Sequence, residues 1–445
     1  MRFTLFIWLL VVANHHSAQD WSPLDNGLGC PFNGEVKHMI VDSMTGDLIV
    51  SGAFQTDGNC DTMRAFARWN GVSWNSIGNT HGGASITVYE FRDTLYGTGY
   101  LLDEPPLDYH DLHRYNLNDW DSIPEGPDGS VQCFTENNGV LYFGGSFDKC
   151  GNDSTYLLGR YENGVCSGLV PNYKPSGGTS ISDLIFYQNE LYAGGNFNCF
   201  SVQGFSNFGK VSNGDFVSVD AQFNNTGGGL VSELIVYNGE LIIAGGFNKS
   251  SGYTGDYIMK WDGNTMSELG TGVNDRVNDL EVFNGELYAL GWFTEAGGNS
   301  AYHIAKWDGL EWTAVNTNPI SEWWKLTNMI IWNDDLYIAG TFSEIDGVTL
   351  NGIARFNQSL NIHNPENSKD LKLYPNPTSD IINYSYPGTT DNLDVQIFNL
   401  LGQCVHAEKS IPTAGSINIL SLPKGCYKVI FKTASTHFDS FFIKI

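Results

Sequence analysis

NGELYALGWF, residues 284–293, joins a tight-turn signal to an alternating apolar run, a glycine and two aromatics. Asn-Gly between apolar alternations is the strongest short-range sign of a β-hairpin. The chain has already written nearly the same ten residues once, as NGELIIAGGF at 238–247, where Leu241 matches Leu287. Five more copies align on that leucine: DLIVSGAF (Leu48), TLYGTGY (Leu95), VLYFGGSF (Leu141), ELYAGGNF (Leu191) and DLYIAGTF (Leu336). Successive leucines lie 46 to 50 residues apart. Seven copies at a near-constant period describe a repeat protein, in which each copy is one supersecondary unit.

Each copy has the same internal order. In the sixth, VNDLEVFN (277–284) alternates apolar and polar residues and predicts a strand. NGE then turns the chain into a second strand, LYALGWF, followed by a glycine-containing loop, TEAGGNS (294–300). AYHIAKW (301–307) predicts a third strand, Asp308-Gly309 a turn and EWTAV (311–315) a fourth strand. Third-strand relatives stand at 65–71 (AFARWNG), 158–164 (LGRYENG), 257–263 (YIMKWDG) and 352–357 (GIARFN). A lone four-stranded meander would expose an apolar face on each side, and stacking units around an axis buries both.

The sequence therefore predicts an all-β chain with a seven-bladed β-propeller over residues 19–358. The seventh repeat lacks a fourth strand after GIARFNQSL (352–360). DWSPLDNGLG (20–29) resembles the fourth strands SWNSIGN (73–79) and TMSELGTG (265–272), and is expected to complete the last blade. The period, the Gly-Gly pairs in FGGSF, AGGNF and AGGFN, and the tryptophans of the third and fourth strands resemble kelch-type propellers in general pattern.

The recurring aromatics have a packing explanation. Trp69, Trp261 and Trp307 share one repeat position with Tyr115, Tyr161 and Phe356. Phe54, Phe147, Phe197, Phe247, Phe293 and Phe342 share another. A large residue fixed at one place in every copy packs blade on blade. The glycines before these phenylalanines are read as points of close strand approach or as bulges.

A ligand site is sought among residues that do not repeat. The short turns between strands one and two, and three and four, lie on one face. The longer, variable loops lie on the other, and binding sits preferentially on variable loops of a rigid scaffold. Two loops stand out, LLDEPPLDYHDLH (101–113) and NTNPISEWWK (316–325). The first offers Asp103, Glu104, Asp108, Tyr109, His110 and Asp111. The second offers Trp323 and Trp324, whose flat rings either stack on sugars and peptide side chains or begin a buried strand. His110 and His113 stand as H-x-x-H among acids, but His113 aligns with Ala67, Gly159, Ala305 and Ala354 and is read as structural. No metal and no cofactor is assigned. There is no G-x-S-x-G elbow, no H-E-x-x-H and no recurring aspartate box. An enzyme on this scaffold would gather Asp, Glu, His and Tyr from several blades over one axial mouth.

Composition and the N-terminus fix the setting. Arg2, an apolar run from Phe3 to Ala13, then Ser17 and Ala18 predict a secretory signal peptide over residues 1–18. That run is too short to span a bilayer, and no other stretch approaches the length, so no transmembrane segment is expected in the mature chain. The formal charge of -26 repels phosphate backbones and disfavours nucleic acid. All eight cysteines fall in the exported part, an even number that suggests disulfides without giving their pairing. Without a C-x-x-C there is no zinc ribbon and no thioredoxin-type site.

The repeat stops at Gln358. Residues 359–370 (SLNIHNPENSKD) read as a linker, and 371–445 carries short alternating strands with Gly and Pro turns, which predicts a small β-sandwich of Ig-like kind. This segment resembles the type A C-terminal sorting domain of the type IX secretion system of Bacteroidota. The carrying residues are YPNP (Tyr374, Pro375, Asn376, Pro377) with TSDIINY after it, VQIFNLLGQ (395–403, with Gly402) and LPKGCYKV (422–429, with Gly425 and Tyr427). The resemblance implies handling by the type IX machinery through residues 371–445. It further implies passage from the periplasm across the outer membrane of a Gram-negative cell, and removal of the domain on arrival. Cys404 and Cys426 depart from the family pattern, and a disulfide between them is a testable expectation.

The functional expectation is a secreted or surface-held propeller that binds an extracellular protein or glycan. The alternatives are a propeller enzyme acting on polysaccharide and a structural surface component or adhesin.

Overall fold

The computed structural model describes residues 20–25, 27–28, 34–57, 59, 61–78, 84–100, 112–171, 179–197, 207–219, 229–247, 257–315, 325–342, 344–345, 348–357, 372–374, 378–385, 392–399, 404–432 and 437–444. Contacts divide the chain into two compact units, Met1–Gln358 and Ser359–Ile445. Among the described residues every regular element is a strand, and no helix is long and apolar enough to cross a membrane.

Among its described residues the first unit builds seven four-stranded antiparallel sheets. Their inner strands are Glu35–Val41, Ala84–Phe91, Ser130–Asn137, Ser180–Tyr187, Val231–Tyr237, Val277–Phe283 and Lys325–Trp332. Each inner strand packs on the inner strand of the next sheet, and Lys325–Trp332 packs back on Glu35–Val41. The sheets thus follow one another in a closed, propeller-like cycle. NGELYALGWF forms the turn and second strand of the sixth sheet, which runs Val277–Phe283, Glu286–Gly291, Ile304–Trp307, Trp312–Ala314.

TEAGGNS was expected to be a plain loop. It instead folds into a small hairpin, Glu295–Ala296 against Asn299–Ser300. Asn274 Oδ1 fixes its entry by accepting from the Thr294 and Glu295 amides at 2.8 and 3.0 Å, and Gly297 and Gly298 supply the positive φ of its turn.

The seventh sheet takes its outer strand from the other end of the chain. Asp20–Pro23 pairs with Ile353–Asn357, with Trp21 opposite Phe356. The Trp74 indole then donates to the Leu24 carbonyl at 3.2 Å and ties this strand to the first sheet. The same donation recurs between other sheets, from Trp120 to Ile77 at 3.1 Å and from Trp312 to Leu269 at 2.9 Å.

The repeated glycine has a steric cause. Every inner strand breaks register at one place, for example between Ile181 and Asp183, Val231 and Glu233, Val277 and Asp279, and Leu326 and Asn328. At these β-bulges the inner-strand carbonyl presses on the second strand. A Cβ on Gly145, Gly195, Gly245 or Gly291 would stand 2.0, 2.2, 2.1 or 2.1 Å from the carbonyl oxygen of Ser130, Ser180, Leu230 or Arg276. Only glycine tolerates that approach. The phenylalanines two residues later are core: Phe54, Phe147, Phe197, Phe247, Phe293 and Phe342 are at most 4% exposed. Trp69, Trp261 and Phe356 are buried as well.

The second unit pairs a three-stranded sheet (Lys372–Tyr374, Ile381–Ser385, Ala414–Asn418) with a four-stranded one (Cys404–Ile411, Leu393–Phe398, Gly425–Lys432, His437–Lys444). Alternation decides its core. Ile382 and Ile417 from one sheet meet Val395, Ile397, Val429 and Phe431 from the other, all fully buried. Tyr427 is buried and its hydroxyl donates to the Pro423 carbonyl at 2.7 Å. The buried Lys444 ammonium donates to the carbonyls of Ile419, Leu420 and Leu422 at 2.7, 2.8 and 2.6 Å, which satisfies all three of its protons.

One cysteine expectation is corrected. Cys404 is an exposed free thiol, unpaired with Cys426. The strands carrying the two cysteines flank Leu393–Phe398 on opposite sides. Two strand spacings of about 4.8 Å separate them, beyond the reach of a disulfide. Among the described residues a disulfide joins Cys150, on the small hairpin of Lys149–Cys150 and Asp153–Ser154, to Cys166 of the third sheet, with a Cα–Cα distance of 5.5 Å. Cys133 is buried and free.

Candidate functional site

The bulges that demand glycine also build the axis. Each inserts a residue into an inner strand and turns the next side chain inward. His38, Thr87, Cys133, Asp183, Glu233, Asp279 and Asn328 follow the bulges and line one cavity of about 350 Å³. Two residues further along the strands the lining turns apolar, with Ile40, Tyr89, Ile235 and Ile330, interrupted by Glu281.

Several members of this ring join neighbouring sheets. Asp183 accepts from the Leu184 amide and, across to the fifth sheet, from the Leu234 amide, both at 2.7 Å. Asp279 accepts from the Leu280 amide at 2.9 Å, from the Met329 amide of the seventh sheet, and from Asn328 Nδ2 at 2.9 Å. Asn328 Oδ1 accepts from the Met39 amide of the first sheet at 2.9 Å, which carries the pattern across the point of closure. Acids and amides stand here because the bulge frees an amide for a neighbouring side chain to satisfy. A role for these residues was not read from the sequence. The signal was a polar residue at one fixed inner-strand position, in SISDLIF, VSELIVY, VNDLEVF and KLTNMII, and it looked like ordinary strand alternation.

Burial sets the protonation of the ring. It pushes the Asp183 and Asp279 carboxyls up, against the amides that donate to them. Glu233 is raised well above the usual carboxylate range by burial and then by Asp183, Asp279 and Glu281. Glu281 is pushed up to about 8 by burial and by Asp279. His38 is lowered to about 4 by burial, and its Nδ1 has no partner. The Cys133 thiol is raised by burial, which keeps it a poor nucleophile. Among the described residues no group of three or more His, Cys, Asp or Glu side chains is placed to hold a metal ion.

Nearer the starts of the inner strands lies a wider polar mouth of about 410 Å³. Glu35, Gln132, Ser180, Ser182, Ser232, Asn278 and Thr327 line it, together with Arg276 and Trp292. It opens on the face of the longer loops, because inner strands begin there. Trp292 is 44% exposed, unlike the buried aromatics around it. The Arg276 guanidinium lies over its ring, 5.8 Å from the centroid, and the Trp292 amide donates to the Arg276 carbonyl at 2.8 Å.

The residues singled out in the sequence fare differently. Asp103, Glu104, Asp108, Tyr109, His110, Asp111, Trp323 and Trp324 lie outside the described residues, as do Pro375, Asn376, Pro377 and Gly402. His113 is 4% exposed, faces Gly97 across the strands and has Nδ1 3.4 Å from Ser122 Oγ. A Cβ on Gly97 would stand 2.6 Å from Phe66 and 2.8 Å from Trp120, so the small residue makes room for those two rings. Trp292 was not singled out, although it stands inside NGELYALGWF; of its six counterparts, Ala53, Ser146, Asn196, Gly246 and Thr341 are small or polar and Tyr100 is aromatic.

Comparison with known proteins fixes the destination. Residues 372–444 match the family described as secretion system C-terminal sorting domain. The chain is a type IX secretion cargo. It is exported by that system to the cell surface or secreted. Residues 334–362 of the cargo match a beta-propeller domain of unknown function (DUF5122). No curated protein matches the chain.

Among solved structures, the extracellular domain of a one component system from B. thetaiotaomicron is 11% identical, with a TM-score of 0.49. That of a hybrid two component system from the same organism is 12% identical, also with a TM-score of 0.49. The cargo is covered over 96% of its length in each and spans 58% and 59% of those chains. PorZ, a bacterial surface component of the type-IX secretion system of Porphyromonas gingivalis, is 12% identical with a TM-score of 0.35, over 90% of this chain and 69% of that one. Identities this low carry no ligand or partner across.

Proposed function

We propose that the cargo is a kelch-like, seven-bladed propeller over residues 19–358 that binds an extracellular protein or glycan at its axial mouth. A signal peptide (1–18) starts its export, and a linker (359–370) leads to an Ig-like sorting sandwich (371–445). The seven four-stranded sheets and their cyclic packing support the blade count. Two sheets sharing one core support the sandwich. Asp108, Tyr109, His110, Asp111, Trp323 and Trp324 belong, on this reading, to loops on the ligand-bearing face.

The observation that carries the proposal is Trp292, a half-exposed indole in a concave, polar mouth, at a position where five of the six other copies carry a small or polar residue. An indole face with convergent hydroxyl and amide groups suits a sugar ring or a peptide side chain. The test is a glycan array together with pull-down of surface proteins, run with the wild-type propeller and Trp292→Ala. Loss of the captured ligand in the variant supports the mouth, and identical capture removes it.

One observation favours a second reading, a hydrolase acting on polysaccharide. The axial cavity does gather acids from several sheets, and Glu233, whose carboxyl burial pushes well above the usual range, has no hydrogen bond among the described residues. A raised carboxyl is what a general acid requires. Against it, Asp183 and Asp279 are already engaged in joining sheets. Release of reducing ends from a polysaccharide by wild type, abolished in Glu233→Gln, would select the enzyme.

A further inference from the structure

Arg276 differs from the paired lysines of this chain. The molecule carries 49 acidic and 23 basic residues. Lys210, Lys260 and Lys306 each hold the glutamate across the strands at 2.7 to 2.9 Å. Arg276 makes no ion pair among the described residues. Of its five donors, one reaches Ser232 Oγ at 3.4 Å, and Nε is buried without a partner. The adjoining carboxylate, Asp275, is turned to the Arg276 backbone amide at 2.7 Å. A buried donor left unpaired is costly, so a guanidinium in this state is set up for an acceptor from outside the chain.

We propose that the ligand of the mouth is an acidic saccharide, with a sugar carboxylate paired to Arg276 and the sugar ring stacked on Trp292. This rests on the reading of the mouth as the binding site. A carboxylate is the planar two-oxygen acceptor that matches a guanidinium fork, and the indole offers the flat apolar face a sugar ring covers. The pair is held in place before any ligand arrives. The Arg276 stem lies against Gly246, with its Cδ at van der Waals distance, 3.5 Å, from where a Cβ would stand, and the Trp292 amide is bonded to the Arg276 carbonyl at 2.8 Å. Such preorganisation lowers the entropic cost of binding. Gln132, Ser180 and Ser182 on the mouth supply neutral donors and acceptors for hydroxyls. Glu35 on the same lining disfavours a second anion, so a sugar with one carboxylate fits and a densely sulfated or phosphorylated chain does not.

The probes are oligomers of galacturonate, glucuronate and mannuronate, each paired with the same oligomer after reduction of its carboxylates to alcohols. Binding to the exported protein is measured by calorimetry. Wild type is expected to bind at least one acidic oligomer about tenfold more tightly than its reduced partner, the scale of one charge-assisted hydrogen-bonded contact. Arg276→Gln abolishes that preference, and Trp292→Ala weakens both members of the pair alike. Melting temperatures of both variants, unchanged from wild type, show that folding is intact. Equal binding of acidic and reduced oligomers by wild type, with Trp292→Ala still weaker, overturns the acidic class and leaves the mouth standing. Binding untouched by Trp292→Ala overturns the mouth and this inference with it. No binding to any acidic oligomer overturns the inference alone.

Discussion

The fifth and sixth sheets carry almost the same hairpin, ending in Gly245-Gly246-Phe247 and Gly291-Trp292-Phe293. The outer two positions agree and have the same surroundings in both. The glycine faces an inner-strand carbonyl 2.1 Å from where a Cβ would stand, and the phenylalanine is at most 3% exposed. The middle position differs. Gly246 lies against the Arg276 stem, and Trp292 receives its guanidinium. Agreement between copies therefore marks what every sheet needs to pack, and disagreement marks what one sheet adds.

The comparison can be broken most sharply at the phenylalanines. Phe247→Ala and Phe293→Ala are each expected to lower stability by about 3–5 kcal/mol, the usual cost of emptying a packed aromatic site. Denaturant melts that gave one large and one negligible effect would show that the copies are not equivalent. Gly245→Ala and Gly291→Ala come next, at about 1–3 kcal/mol each, because the new methyl meets backbone rather than a movable side chain.

The axial ring gives a smaller, pH-dependent effect. Burial moves Glu281 from 4.5 to about 8. Between those values the folded chain keeps a proton that the unfolded chain has lost, so stability falls as pH rises through this window. His38 works oppositely: lowered from 6.5 to about 4, it lets stability rise with pH between those values. Glu281→Gln should flatten the fall in melting temperature above pH 6.5, where His38 no longer contributes. An unchanged slope would place Glu281 in contact with water, outside the apolar lining.

Much of this organisation is legible in the sequence for a physical reason. A repeat writes each packing rule several times, so the Asn-Gly turns, the glycine at the bulge and the buried phenylalanine stand out against the variable positions. The first strand of the sixth sheet, Val277–Phe283, falls where alternation puts it, while the second, Glu286–Gly291, ends two residues short of the expected LYALGWF and is buried on both faces. The sorting tail is legible because its motifs are long and specific, as in YPNP and VQIFNLLGQ. The axial ring is not. Asp183, Glu233, Asp279 and Asn328 are brought together by ring closure, and each alone looks like a solvated strand residue. Trp292 was hidden by its neighbour, since two adjacent aromatics read as one packing feature. The Cys404 expectation failed because cysteine count says nothing of strand order, and the strand Leu393–Phe398 runs between the two candidates.

Replacing Trp292 by glycine writes the fifth sheet's residue into the sixth and tests the division between shared and unshared positions most directly. Thermal melting and ligand binding are measured on the same preparation of Trp292→Gly. The predicted result is a melting temperature within about 2 °C of wild type, as befits a surface substitution on a domain this large, with binding of the acidic oligosaccharide lost. A variant that melts much earlier, or one that binds as wild type does, would contradict the assignment of Trp292 to the ligand rather than to the fold.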